Sequence, residues 1–122
     1  MIRAIEIRQI AAHHGIKPEV IEKDYVLGWV IAALNQQEIS SKWIFKGGTA
    51  LKKCYFHEYR FSEDLDYSIV NAADLKEDVL LTILESITNW IYSKSGIEFV
   101  SKNQKVEIFE NTHSRRVAQI RL

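Results

Sequence analysis

A short aromatic run, Trp43-Ile44-Phe45, is cut off one residue later by two consecutive glycines, Gly47-Gly48, and is followed at once by the helix-compatible Thr49-Ala50-Leu51. That order constrains the fold more than any other feature. A brief apolar and aromatic run of this kind reads as a buried strand. The glycine pair then releases the backbone from Cβ constraints and lets it approach another group closely. Residues 49–55 place Ala50, Leu51 and Cys54 on one helical face, and after a connection over 56–63 a second run, 65–70, alternates as a strand does.

Helices are expected on either side of this unit. Residues 2–14 carry Ile2, Ile5, Ile10 and Ala11 at mixed three- and four-residue steps, with Gly15 as a stop. Pro18 suits the first turn of a second helix, where its missing N–H has no helical partner, and that helix runs through Val20, Ile21, Tyr25, Leu27, Val30, Ile31 and Leu34. The clearest amphipathic pattern covers 74–94, with Leu75, Val79, Ile83, Ile87 and Ile91 at four-residue steps, and Gly96 ends it. Beyond it, 97–100, 105–109 and 116–122 read as strands separated by turn-like Ser101-Lys102-Asn103 and Asn111-Thr112. The expected fold is α+β (α/β mixed): N-terminal helices over 1–40, then a core over 41–122 with a mixed sheet of about five strands flanked by the 49–55 and 74–94 helices. The last run is still strand-like at Leu122, so the sequence reads as one that continues.

The chemistry lies in Phe45-Lys46-Gly47-Gly48-Thr49 and Arg60-Phe61-Ser62-Glu63-Asp64-Leu65-Asp66-Tyr67. On a strand, Asp64 and Asp66 project from one face. Two adjacent carboxylates repel one another and call for a counter-charge, which a divalent cation supplies. Hard oxygen ligands suit Mg²⁺, which keeps positions open for water and phosphate oxygens. A glycine pair opening a helix directs the N–H groups of Gly48, Thr49 and Ala50 outward, an anion site for a triphosphate to which Thr49 adds a hydroxyl. Phosphoryl or nucleotidyl transfer then needs little beyond alignment and charge neutralisation, with two Mg²⁺ ions about 4 Å apart and a third carboxylate ordinarily completing the set. Alone, an Asp-x-Asp is commonly a solvated face and a Gly-Gly a turn. The two in this order point to a site for metal and nucleotide.

The acidic and basic side chains cancel to a net charge of +0, so no basic surplus argues for a nucleic-acid partner. Cys54 is the only cysteine, which excludes an internal disulfide and a thiolate zinc site within one chain. The N-terminus lacks a signal peptide's apolar core, and the most apolar stretch, 25–34, is about half the length a membrane span needs. The expected location is the cytoplasm.

The segments FKGGTALKKCYF and RFSEDLDYSI, with the upstream IEKDYVLGWVIAAL, resemble the signature of the AbiEii/AbiGii toxin family, nucleotidyltransferases with a DNA-polymerase-β-like fold. The resemblance covers about 20–70; after Asp74 only the pattern of a helix and then strands fits. It implies a toxin of a bacterial toxin–antitoxin or phage-defence system that uses Mg²⁺ and a nucleoside triphosphate and acts on an RNA, tRNA in some members, or on a protein. A cognate antitoxin protein is the implied partner. Asp64 and Asp66 take the metal-ligand and catalytic roles, Gly47 and Gly48 the phosphate loop, and Thr49 a phosphate contact. Arg60 and Ser62 position the nucleotide, and Lys46 flanks the loop. The gap from Gly48 to Asp64 is long for the wider polymerase-β superfamily but suits this family. The Lys-x-Asp element that supplies the third carboxylate is not found, and by resemblance it would fall beyond Leu122; Glu107 and Glu110 lack its context. The alternative is a non-catalytic module of the same fold that binds an antitoxin or another protein; a metal-dependent nuclease is a third possibility.

Other polar residues read as structural. Glu22, Lys23 and Asp24 are helix-surface charges, one of which could support the site loops. His13 and His14 suit a helix end. His57 and His113 are surface groups, and Trp29, Trp43 and Trp90 are core rather than base-stacking platforms. Lys52, Lys53, Arg115 and Arg116 read as solvated surface, with phosphate contact as the functional alternative.

Overall fold

The computed structural model describes residues 2–40, 43–57, 60–61, 64–69, 75–100, 104–110 and 116–121. The chain divides into two units, Met1–Ala32 with Trp43–Ser68, and Ala33–Lys42 with Ile69–Leu122.

The first unit begins with α1, Ala4–His14. The Glu6 carboxylate accepts the Arg3 backbone N–H at 2.7 Å and its guanidinium at 3.3 Å, which holds the carboxyl below its usual range and satisfies a donor at the helix start. Gly15 ends the helix at φ 64°, a left-handed turn that returns its N–H to the carbonyls of Ala11 and Ala12. Helix α2 spans Pro18–Gln36, with proline at its first position as expected. Ala11, Ile21 and Val30 are buried, and the Tyr25 hydroxyl accepts the Ile2 backbone N–H at 3.2 Å.

Strand β1, Ile44–Lys46, runs directly into α3, Gly47–Ala50, which continues as a π-helical turn over Leu51–Tyr55. Phe56 closes that turn by donating its N–H to the Leu51 carbonyl at 2.7 Å. The chain then returns to the end of β1 that it left. Strand β2, Asp66–Ser68, therefore pairs antiparallel with β1 in the register Ile44↔Ser68, Phe45↔Tyr67 and Lys46↔Asp66.

In the second unit α4 spans Glu77–Ser95 and buries Ile83, Ile87 and Ile91 of the expected stripe with Leu80 and Leu84 beside them, whereas Val79 is half-buried and Leu75 precedes the helix. Gly96 ends it at φ 78° and donates to the Tyr92 carbonyl. Strands β3, Lys105–Glu110, and β4, Arg116–Arg121, form an antiparallel ladder from Lys105↔Arg121 to Glu110↔Arg116, and α4 packs against β3.

The class is α+β, as expected. The strands differ from the single mixed sheet of about five: the described residues form two separate two-stranded antiparallel ladders. Residues 97–100 are not a strand. Their burial does alternate, with Ile97 and Phe99 half-buried and Glu98 and Val100 exposed, but no neighbouring backbone pairs with them among the described residues. Alternation reports two-sided exposure, and a ladder needs a partner as well. The expected turns at 101–103 and 111–112 lie outside the described residues.

Candidate active site

The β1–β2 ladder has two unlike faces. On one, Phe45 and Tyr67 stack with centroids 5.1 Å apart at 19°, and Trp43 meets Tyr67 edge-on at 6.2 Å. On the other, Lys46 stands opposite Asp66 at the open end of the ladder. The exposure pattern of Asp64, Leu65 and Asp66 is exposed, half-buried, exposed, which puts the two carboxylates on the solvent side and turns Leu65 inward.

Antiparallel register makes this arrangement specific. Because Asp66 opposes the last residue of β1, its carboxylate lies on the next residue, Gly47. A Cβ added at Gly47 would overlap Asp66 Oδ2 and lie 3.1 Å from Cγ and 3.2 Å from Cβ. Gly47 also has φ 83°, in the left-handed region that side chains disfavour. Both reasons require glycine there. Gly48 forms the first turn of α3, where backbone N–H groups lack helical acceptors.

Thr49 is 1 % exposed, and its hydroxyl donates to the Asp64 backbone carbonyl at 2.5 Å. The helix that opens on the glycine pair thus holds the acidic segment directly. Lys46, Asp64, Asp66 and Arg60 are exposed, whereas Ser62 lies outside the described residues. Among the described residues neither carboxylate of the pair forms a salt bridge. No group of three or more His, Cys, Asp or Glu side chains among them is placed to hold a metal, so the candidate centre is a pair. Glu107 is exposed on β3 in the other unit.

Several contacts had no sequence signal. Lys53 pairs with Asp24 of α2 at 3.0 Å, so Asp24 reaches the π-helical turn. Lys52 donates to the His57 carbonyl and lies 4.3 Å from the Phe61 ring centroid, and His14 meets that ring edge-on at 5.3 Å. Neither lysine is merely solvated, which corrects that expectation. Their partners are 5 and 29 positions away, beyond any helical spacing rule. An open cleft of about 400 Å³ beside α2 is lined by Asp24, Tyr25, Gly28, Trp29, Ala32 and Lys53, and by none of the candidate site residues.

The aromatic face carries a stability consequence. The Tyr67 hydroxyl and Trp43 Nε1 are covered without a hydrogen-bond partner among the described residues. Desolvation, and secondarily the Cys54 thiol nearby, pushes the Tyr67 phenol from 10.0 up to about 12. Its protonated form is therefore favoured by the fold, so its contribution is whole below pH 10.0 and is lost as pH rises from there toward 12. Tyr67→Phe removes an unpaired hydroxyl and is expected to raise unfolding stability near neutral pH by about 1 kcal/mol. It should also flatten the alkaline decline; denaturant unfolding at pH 7 and across the alkaline range checks both.

A family model described as nucleotidyl transferase AbiEii toxin, Type IV TA system, matches residues 29–121. No curated protein and no solved structure matches the chain. No helix among the described residues is long and apolar enough to cross a membrane.

Proposed function

The chain belongs to the AbiEii family of toxin–antitoxin nucleotidyltransferases, and from that premise we propose that Asp64 and Asp66 form the metal-binding pair of an Mg²⁺-dependent transfer from a nucleoside triphosphate to an RNA, tRNA foremost, or a protein. The observation that carries this reading is the Asp66 carboxylate lying on Gly47. It brings an anion that has no salt-bridge partner among the described residues onto the glycine turn that opens α3. Two anions beside a glycine turn make a setting that a cation stabilises. Their exposure and hard oxygen donors fit Mg²⁺.

When bound, Mg²⁺ (two ions in the full reaction) supplies charge neutralisation at the phosphates and activation of the attacking hydroxyl. The chain's own residues supply position. The exposed Gly47 and half-buried Gly48 offer backbone donors to phosphate oxygens, whereas Thr49 and Ala50, expected to share that role, are buried. Thr49 spends its hydroxyl on the Asp64 carbonyl and so fixes the acidic segment against the helix. Lys46, on the face of Asp66, offers a cation to the triphosphate; Arg60 and Ser62 position the nucleotide. The setting is the cytoplasm, in a phage-defence system with a cognate antitoxin.

The test is transfer by the full chain from each α-³²P-labelled nucleoside triphosphate to total RNA and to protein, with Mg²⁺ and with EDTA. Label should enter an acceptor only with Mg²⁺, and the labelled band identifies the acceptor class. The two-carboxylate centre favours one competing reading, a non-catalytic module that docks an antitoxin. No label in any acceptor, together with antitoxin binding unchanged in Asp64→Asn, would favour that reading. Nucleic acid cut without any nucleotide would favour a nuclease.

A further inference from the structure

We propose that Lys52 is a positioning residue for the acidic segment, a clamp that fixes the approach to Asp64 and Asp66 from the same helix that carries the glycine turn. The proposal rests on the reading of those two residues as the metal pair.

Thr49 and Lys52 are three positions apart, so they face the same side of the helical segment. Each holds the chain that leads into β2. The Thr49 hydroxyl binds the Asp64 carbonyl at 2.5 Å. The Lys52 ammonium binds the His57 carbonyl and sits over the Phe61 ring at 4.3 Å. His14 of α1 packs on that ring at 5.3 Å, which keeps it facing the lysine. The two contacts therefore bracket the segment from His57 to Asp64, one at each end.

Lys52 is an unusual tether. A lysine at the surface ordinarily keeps its long side chain mobile, and ordering it costs rotamer freedom. Among the described residues its ammonium meets the His57 carbonyl oxygen and the Phe61 ring face. Both acceptors, His57 and Phe61, lie between the helix and Asp64, so the lysine's position is coupled to theirs. The π-helical turn from Leu51 sets the direction. Such turns re-aim side chains relative to a regular helix. Lys52 goes to the connection while its neighbour Lys53 goes to Asp24 on α2. The helix is thereby held on two sides, and the carboxylate pair inherits that rigidity.

Hydrogen exchange on the full chain tests this without any ligand, with Mn²⁺ titration followed by electron paramagnetic resonance as the second readout. In Lys52→Met, exchange across 60–67 should speed up about tenfold while α1 and α4 keep their protection. Mn²⁺ affinity should fall about tenfold or more, as it does when a group supporting a metal ligand is lost. Lys52→Arg keeps a donor and a cation over the ring and should restore both. Unchanged exchange across 60–67 in Lys52→Met, or acceleration equal to that of α4, overturns the clamp. Wild-type protein that binds no Mn²⁺ would contradict the metal pair instead, and the exchange result would still decide the clamp.

Discussion

Asp66→Asn is expected to lower nucleotidyl transfer about a thousand-fold, which corresponds to about 4 kcal/mol of transition-state stabilisation. The substitution preserves shape and removes one of the two anions proposed to hold the cation. The loss should fall on transfer, since a neutral amide cannot replace the charge that offsets the phosphates. In metal-free protein the sign reverses. Asp64 and Asp66 are two positions apart on one exposed side, and their mutual repulsion costs on the order of 0.5 kcal/mol in water. Asp66→Asn should therefore unfold slightly later than wild type in EDTA, and Asp64→Asn should do the same. Opposite movements of activity and metal-free stability separate a metal pair from a pair kept for folding. Transfer assays beside denaturant unfolding in EDTA provide both numbers.

Gly47→Ala is the second large effect, and it acts through two separate causes. A side chain in the left-handed region costs on the order of 1–3 kcal/mol. The added Cβ would also overlap the Asp66 carboxylate. The expected destabilisation is at least about 2 kcal/mol, and metal affinity should fall as the carboxylate is pushed aside. In an Asp66→Ala background the same substitution should cost about 1 kcal/mol less, because the clash is relieved and only the backbone strain remains. Gly28→Ala is the control. It lies within α2, and a Cβ there would meet only Lys53 Nζ at 3.9 Å, an ordinary contact. It should be neutral or stabilise by up to about 1 kcal/mol. A four-variant thermal unfolding series measures these differences.

What was legible in the sequence follows from which interactions are local. Gly15, Pro18 and Gly96 mark helix ends through backbone rules that act over a few residues, and each stands where those rules put it. The α4 stripe was legible because one buried face repeats at helical spacing. Gly47 and Asp66 were legible as separate signals. Their contact was not, because it depends on the antiparallel register in which Lys46 opposes Asp66. Periodicity within either strand says nothing of register between them. The same limit explains 97–100, where alternation is present and no ladder partner stands among the described residues. Thr49 was legible as a hydroxyl at the glycine turn, but its bond to the Asp64 carbonyl spans 15 positions and follows from tertiary structure alone. Lys52 and Lys53 read as solvent-facing because adjacent lysines usually are; the π-helical turn sends them to different partners.

The central claim is tested most directly by a crystal structure of the full chain grown with Mn²⁺ and a non-hydrolysable nucleoside triphosphate, read by anomalous scattering at the manganese edge. The account predicts anomalous density within about 2.2 Å of carboxylate oxygens of both Asp64 and Asp66, with triphosphate oxygens against the backbone of Gly47 and Gly48. Manganese bound elsewhere, with the Asp64 and Asp66 oxygens hydrated and the triphosphate away from the glycine turn, would contradict it.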